Sequence, residues 1–165
     1  MANNFLEQLV AEWYEYKGYF VRRNVPVGKR ARGGYESELD VVAFNPGRRH
    51  LVHIEPSLDA ESWEKRERLF RNKFEAGRKY IPGLFDGFEL PPEIEQIAIL
   101  VFASRSNHPT LGGGKVLLIS DLMRQIMEDL GGKKLVSNHV PEHHTHLRTL
   151  QFVIEYRKRV FDTLR

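Results

Sequence analysis

The chain has 165 residues, a length that suits one globular domain, so residues 1–165 are predicted to form a single domain. Hydrophobic residues make up 41% and charged residues 28% of the chain, which excludes disordered, collagen-like and coiled-coil proteins. The absence of cysteine excludes disulfides, thiolate zinc sites and cysteine nucleophiles, while a formal charge of +3 permits nucleic acid as a partner. No apolar run is long enough to span a bilayer, and a cytoplasmic protein without membrane contact is expected.

The predicted elements follow one another as helix and strand patterns along the chain. Apolar residues at helical spacing predict a first helix that Asn3 or Asn4 caps and Gly18 ends. The predicted strands cover residues 19–27, 37–44, 51–55, 96–103 and 116–119, and the later helices cover residues 60–81, 120–130 (capped by Ser120) and 147–164. This order predicts an α/β fold in which antiparallel strands come first and a crossover helix leads to a parallel strand.

Two carboxylate residues lie within apolar strand sequences, where burying a charge is unfavourable unless something compensates it. Asp40 begins the run DVVAF, and Glu55 follows LVHI. If the hairpin pairs Phe44 with Leu51, Asp40 lies opposite Glu55 with Cβ atoms about 5 Å apart. Two like charges at that separation raise one pKa unless a cation binds between them, and oxygen ligands suit Mg²⁺ or Mn²⁺. The pair therefore predicts half of a divalent metal site.

Glu7 can complete this metal shell from the first helix, directly or through water. Phosphodiester hydrolysis uses such carboxylate clusters because the metal activates a water and neutralises charge that develops on the phosphate. Each acid also has an alternative role. Glu7 can cap its helix from three residues after Asn4, Asp40 can pair with an arginine of the preceding loop, and Glu55 can be a strand-end carboxylate held by backbone or arginine.

Glu7 in the first helix, Asp40 in ELDVVAF, and Glu55-Pro56-Ser57 before an amphipathic helix form a pattern that resembles the PD-(D/E)XK nuclease superfamily. That superfamily includes many restriction enzymes and archaeal Holliday-junction resolvases, and the likeness covers roughly the first half of the chain. The resemblance implies a restriction-endonuclease-like αβββαβ core, here with extra C-terminal helices, a divalent metal and cleavage of DNA. In the family, the residues that match Asp40 and Glu55 bind metal together with the middle residue's carbonyl, here that of Pro56.

The third motif position departs from the family, because Ser57 stands where lysine is usual. Serine carries no positive charge, but its hydroxyl can orient a water, and a lysine from the next helix can replace the missing ammonium. Lys65 and Lys73 are the two candidates, and the angle of the helix decides which one reaches the water. Pro56 is also expected to end or distort its strand.

The first functional hypothesis is therefore a Mg²⁺- or Mn²⁺-dependent nuclease that hydrolyses DNA phosphodiester bonds. The family analogy also suggests a homodimer, because cutting two strands needs two sites. The alternative, which Ser57 favours, is a catalytically inactive member that acts in DNA binding or assembly. In either case Lys29, Arg30 and Arg32 are predicted to contact phosphates, unless the basic run is simply solvated surface.

Histidines and glycines raise further alternatives. His53 shares a strand face with Glu55, so it either lines the metal site or is a half-buried, hydrogen-bonded strand residue. Four histidines within residues 139–146 support a third hypothesis, a histidine-based zinc or transition-metal site. The glycine run at 112–114 lacks the spacing of a phosphate-binding P-loop, and residues 104–114 are predicted to be a flexible connector.

Overall fold

The protein is an α/β fold built around one mixed β-sheet. The computed structural model describes residues 4–103 and 108–163, and these residues form four α-helices and six strands. The helices are α1 (Phe5–Tyr16), α2 (Trp63–Tyr80), α3 (Ile119–Leu130) and α4 (Thr145–Thr163). The strands are β1 (Phe20–Lys29), β2 (Tyr35–Asn45), β3 (His50–Ser57), β4 (Glu95–Leu100), β5 (Thr110–Leu111) and β6 (Gly114–Leu118). Within the described part of the chain, no helix combines the length and apolar character needed to cross a membrane.

The helix ends largely follow the predicted signals. Asn4 caps α1, since its side-chain oxygen accepts a hydrogen bond from the Leu6 backbone N–H at 3.0 Å, and Gly18 follows the helix with φ of +85°. The alternative cap Asn3 and the predicted helical residue Leu164 lie outside the described residues. α3 begins at Ile119, so Ser120 lies in its first turn instead of preceding it.

The sheet combines an antiparallel meander with a parallel half. Its strand order is β1-β2-β3-β4-β6-β5, with β1–β2 and β2–β3 antiparallel and β3–β4 and β4–β6 parallel. α2 makes the connection between β3 and β4, as the predicted crossover requires. The carboxyl ends of β3 and β4 therefore lie at the same edge of the sheet.

Helix α2 is held over the face of the sheet that carries Asp40. A buried cluster joins Phe44 and Leu51 to Ile81, the residue that follows α2, and Ala76 within α2 packs against the same cluster. Because side chains alternate along a strand, Asp40 shares the face of Phe44, four residues later. The apolar contacts thus fix α2 beside the acidic residues of β2 and β3.

The glycine run after the described gap is an ordered turn, and the predicted flexible connector is wrong for residues 110–114. Thr110 pairs with Lys115 and Leu111 with Gly114, which leaves a two-residue hairpin loop. Both loop glycines have positive φ, +59° and +87°, a conformation that favours glycine over other residues. Residues 104–107 of the predicted loop lie outside the described residues.

Strand β1 forms one edge of the sheet and is irregular along its length. Asn24, in mid-strand, has φ of +50°, and Pro26 two residues later has no backbone N–H to donate. Arg22 and Arg23 are exposed beside the irregular position. Its apolar contribution to the core is Val25 and Val27.

The chain divides into two compact units, Met1–Ile119 and Ser120–Arg165. The first holds all six strands with α1 and α2. In the second, Gln151 of α4 donates to the Lys133 carbonyl at 2.9 Å, and Glu155 accepts from the Leu135 backbone N–H at 2.8 Å. The single domain inferred from chain length stays a prediction.

Candidate active site

Asp40 and Glu55 lie side by side in neighbouring strands. β2 and β3 pair from Val41 with Ile54 to Asn45 with His50, which confirms the predicted register. The Asp40 backbone N–H donates to Glu55 Oε1 at 3.2 Å, immediately beyond the last paired residues. Glu55 is 1% exposed and Asp40 9% exposed, so both carboxylates are largely removed from water.

Lys73 provides the cation between these two carboxylates. Its Nζ donates to both Asp40 oxygens at 2.9 Å and to Glu55 Oε2. The cationic partner of Asp40 is therefore this helix lysine, and the alternative of an arginine from the preceding loop is wrong. Lys65, the other predicted lysine, instead pairs with Glu61 at 2.6 Å on the exposed surface of α2.

Glu7 brings a third carboxylate to the same pocket. It lines a 360 Å³ cavity together with Asp40, Glu55 and Lys73. Asn4, which caps the helix through its side-chain oxygen, also donates from its amide nitrogen to Glu7 Oε1 at 2.9 Å. This contact joins two side chains and is not the backbone N–H contact of a capping-box glutamate. It holds the Glu7 side chain at the pocket.

Pro56 and Ser57 form the wall of the pocket at the end of β3. The strand continues through Pro56 to Ser57, so the expectation that proline ends it is wrong. Pairing with β2 already stops at Ile54, and at Pro56 the missing N–H costs no bond to β2. Ser57 Oγ accepts from the Asp59 backbone N–H at 3.1 Å, and Arg66 donates to the Asp59 carbonyl, which fixes this loop.

The electrostatics of the pocket are those of a negatively charged cluster. Burial and the neighbouring Glu55 charge raise the pKa of Asp40 to about 7, although Lys73 acts in the opposite direction. Burial, with a contribution from the Asp40 charge, raises the pKa of Glu7. Burial lowers the pKa of Lys73, but the two carboxylates outweigh that effect and raise it overall. The lysine therefore stays charged, while the acids are short of positive charge.

His53 lies behind Glu55, fully buried, and not half-buried as one alternative predicts. Its Nε2 is 2.7 Å from Glu55 Oε1, and its Nδ1 is 3.3 Å from Nε2 of Gln96. Burial and the Lys73 charge lower the pKa of His53 to about 3, so the ring is neutral. Because the amide of Gln96 donates to Nδ1, the ring hydrogen is on Nε2 and is donated to Glu55.

Gly77 is the helix position that allows α2 to approach His53. A Cβ at Gly77 would overlap His53 Nδ1 and lie 2.6 Å from its Cε1 and 3.2 Å from Gln96 Nε2. A glycine inside a helix otherwise costs about 1 kcal/mol relative to alanine. The close approach to His53 explains why glycine stands there.

Gly77→Ala is expected to destabilise the protein by about 1–3 kcal/mol, because overpacking against the buried imidazole outweighs the better helix propensity of alanine. Thermal or urea unfolding would measure this change. The matched control is Gly83→Ala, since nothing lies within 4 Å of a Cβ at Gly83. Equal stabilities for the Gly77 and Gly83 variants would contradict the contact with His53.

The remaining predicted residues are those of the basic loop in the first unit and the histidines of the second unit. Lys29 ends β1 and pairs with Tyr35, while Arg30 and Arg32 are exposed in the loop that joins β1 to β2. In the second unit, His143 and His144 have ring centroids 4.3 Å apart. The metal site suggested for residues 139–146 and the phosphate contacts of the basic loop stay predictions.

Comparison with known proteins adds no relative. No protein-family model matches the chain, and no curated protein is significantly similar to it in sequence. The pocket joins residues of α1, β2, β3 and α2 that were predicted from the sequence: Glu7, Asp40, Glu55, Pro56, Ser57 and Lys73. His53 was predicted as a neighbour of Glu55, whereas its contacts with Gln96 of β4 and Gly77 of α2 were not predicted.

Proposed function

We propose that the protein is a divalent-metal-dependent nuclease that hydrolyses DNA phosphodiester bonds and has a restriction-endonuclease-like core. The observation that carries this proposal is the Lys73 ammonium seated between Asp40 and Glu55 in a pocket that Glu7 also lines. A positive charge is favourable at this position, since the carboxylates of Asp40 and Glu55 both contact the Lys73 ammonium. The donors are hard carboxylate oxygens, which fit Mg²⁺ or Mn²⁺.

The charge balance of the pocket supports a metal site over a purely structural ion pair. Four acidic residues line the pocket (Glu7, Asp40, Glu55 and Asp59) with one basic residue, Lys73, so a divalent cation would supply positive charge that the lining lacks. A buried ion pair is seldom worth its desolvation cost for stability alone. Perturbed carboxylates in a cleft are typical of functional sites, and the raised pKa of Asp40 fits that pattern.

Each residue then has a role that follows from its chemistry. Asp40, Glu55 and Glu7 would hold the cation, with the Pro56 carbonyl as a further oxygen ligand. The bound ion would supply Lewis-acid polarisation of the phosphate and a more acidic water. Lys73 replaces the lysine that Ser57 lacks: its ammonium can orient the attacking water and donate to a phosphate oxygen. Ser57 closes the pocket beside Pro56.

The basic loop between β1 and β2 is suited to hold DNA beside the pocket. Tyr35 begins β2 at the loop end of the β1–β2 hairpin, and Asp40 lies five residues further along this strand. Five residues of extended strand span about 17 Å. Arg30 and Arg32 are exposed on that loop. A DNA backbone that leaves the pocket toward this hairpin would meet guanidinium groups, which bind phosphates in a sequence-independent way.

The proposal is tested by incubating purified protein with supercoiled plasmid, single-stranded oligonucleotides and branched duplexes, each with Mg²⁺, Mn²⁺ or excess EDTA. Cleavage that needs either cation and stops with EDTA is the expected result, measured as nicked plasmid or shortened oligonucleotide on gels. Salt-sensitive retention of DNA without any cleavage would favour the non-catalytic alternative. Failure to cleave any of these substrates with either cation would refute the nuclease.

A further inference from the structure

We propose that His53 is a positioning residue that leaves Glu55 a single oxygen for a cation and so makes the site prefer Mg²⁺ and Mn²⁺ over Ca²⁺. The inference deepens the proposed function and rests on its metal site. It concerns the groups behind Glu55, on the side away from the pocket.

Both acceptor positions of Glu55 Oε1 are already used inside the protein. Oε1 accepts from His53 Nε2 at 2.7 Å and from the Asp40 backbone N–H at 3.2 Å. A carboxylate oxygen has about two lone-pair positions, so these two donors saturate it. The other oxygen, Oε2, is the one that Lys73 contacts. A cation in the pocket can therefore bind Glu55 only through Oε2, which keeps one lone-pair position beside its contact with Lys73.

The donor from His53 is fixed by a chain of buried groups. Gln96 Nε2 is 3.3 Å from His53 Nδ1 and donates to the Phe74 carbonyl at 2.8 Å, while Arg78 donates to Gln96 Oε1 at 2.5 Å. The arginine at Oε1 and the carbonyl at Nε2 set the orientation of the amide, which then presents a donor to Nδ1. His53 is 0% exposed, and Phe74 lies against its ring with centroids 5.3 Å apart. The imidazole is thus held as a donor toward Glu55.

A carboxylate restricted to one oxygen discriminates between divalent cations. Ca²⁺ takes about six to eight oxygen ligands and often binds both oxygens of one carboxylate. Mg²⁺ is smaller, needs near-octahedral geometry, and usually keeps several waters. If the donor from His53 is lost, Oε1 becomes free for a second contact, which Ca²⁺ can use better than Mg²⁺.

The test measures dissociation constants for Mg²⁺, Mn²⁺ and Ca²⁺ by calorimetry on the full chain without DNA. In His53→Met, which removes the donor, the ratio of the Ca²⁺ to the Mg²⁺ constant is expected to fall about tenfold or more, the scale on which outer hydrogen bonds affect metal affinity. His53→Gln keeps an N–H in a similar position and is expected to keep the ratio. The matched control is His50→Met, at the far end of the same strand, where the histidine contacts Glu95.

An unchanged ratio in a folded His53→Met protein, with folding checked by thermal unfolding, would overturn the inference. If that variant does not fold, infrared spectra of the wild type decide the question. On adding Mg²⁺, the separation between the asymmetric and symmetric carboxylate stretching bands is expected to be that of a carboxylate bound through one oxygen. The separation typical of binding through two oxygens would overturn the inference. If Asp40→Asn abolishes Mg²⁺ binding but His53→Met leaves the ratio of the Ca²⁺ to the Mg²⁺ constant unchanged, the metal site is supported and the role of His53 is refuted. His53-dependent selectivity without DNA cleavage would instead refute the nuclease and keep the role.

Discussion

Asp40→Asn is expected to lower metal-dependent DNA cleavage by roughly 10²- to 10³-fold while leaving the folded protein at least as stable as the wild type at pH 8. Asparagine has the shape of aspartate but offers a neutral oxygen, so it holds a divalent cation poorly. Glu55→Gln is expected to lower cleavage similarly, because the three carboxylate oxygens that contact Lys73 come from Asp40 and Glu55 together.

The stability expectation follows from the raised pKa of Asp40, about 7 in the folded protein against an ordinary value of 3.8. A carboxyl with a raised folded pKa favours folding when protonated, and that contribution is lost as the pH rises from about 4 through 7. At pH 8 the ionised Asp40 therefore lowers the stability of the wild type by on the order of a few kcal/mol, since one pKa unit corresponds to about 1.4 kcal/mol. The Asp40→Asn variant avoids the penalty, although Lys73 loses a charged partner, so the gain is smaller.

Cleavage rates and unfolding midpoints at pH 5 and pH 8 would measure both effects. The advantage of Asp40→Asn in stability should be present at pH 8 and shrink at pH 5, where the wild-type carboxyl is protonated. The control is Glu95→Gln, an acid-to-amide change at the opposite end of the sheet, where Glu95 contacts His50 and Lys115. Full cleavage by Asp40→Asn would remove Asp40 from the site, and lost stability at both pH values would assign it a structural role.

Lys73→Met is expected to destabilise the metal-free protein by about 3–5 kcal/mol at pH 8 and to slow cleavage even when Mg²⁺ is saturating. The lysine side chain is 25% exposed and that of Glu55 is 1% exposed, so removing the ammonium leaves buried charge without its partner. Because Lys73 lowers the pKa of Asp40, its loss raises that pKa further. The variant therefore loses stability relative to the wild type as the pH rises above about 7, where Asp40 of the wild type is already ionised.

Divalent metal should rescue the stability of Lys73→Met more than that of the wild type, because a metal ion can take the place of the ammonium. Differential scanning calorimetry with and without Mg²⁺ would show this as a larger rise in Tm for the variant. Lys65→Met is the matched control on the same helix and should change stability by no more than about 0.5 kcal/mol, since Lys65 pairs with Glu61 at the surface. Equal responses of the two lysine variants to pH and metal would contradict the role of Lys73.

The local parts of the site could be predicted because each depends on a short-range pattern. The turn between β2 and β3 sets the register, so the pairing of Phe44 with Leu51 was enough to bring Asp40 beside Glu55. Asn4 and Gly18 mark the ends of α1 through capping chemistry that is local in sequence. The crossover between β3 and β4 follows from a general rule about parallel strands.

The parts that depend on distances between elements could not be derived in the same way. Lys65 and Lys73 are two helical turns apart, and the choice between them depends on how α2 lies on the sheet. Gly77 was the one sequence signal for the position of α2, because a glycine within a charged helix indicates that another element packs closely against the helix there. The sequence does not show that the residue packed against it is His53, which is distant along the chain. The short strand β5 has two residues, too few to show a period in the sequence.

The irregular outer strand β1 has a consequence for how copies of this chain can associate. Strands at the margin of a sheet invite a neighbouring molecule to add its own strand, and such additions lead to fibres or edge-to-edge dimers. The left-handed backbone at Asn24, the ring of Pro26 and the charged Arg22 and Arg23 interrupt the row of donors and acceptors that an incoming strand would need. A homodimer that cuts both strands of DNA would therefore have to be built through some surface other than a continuous sheet across β1.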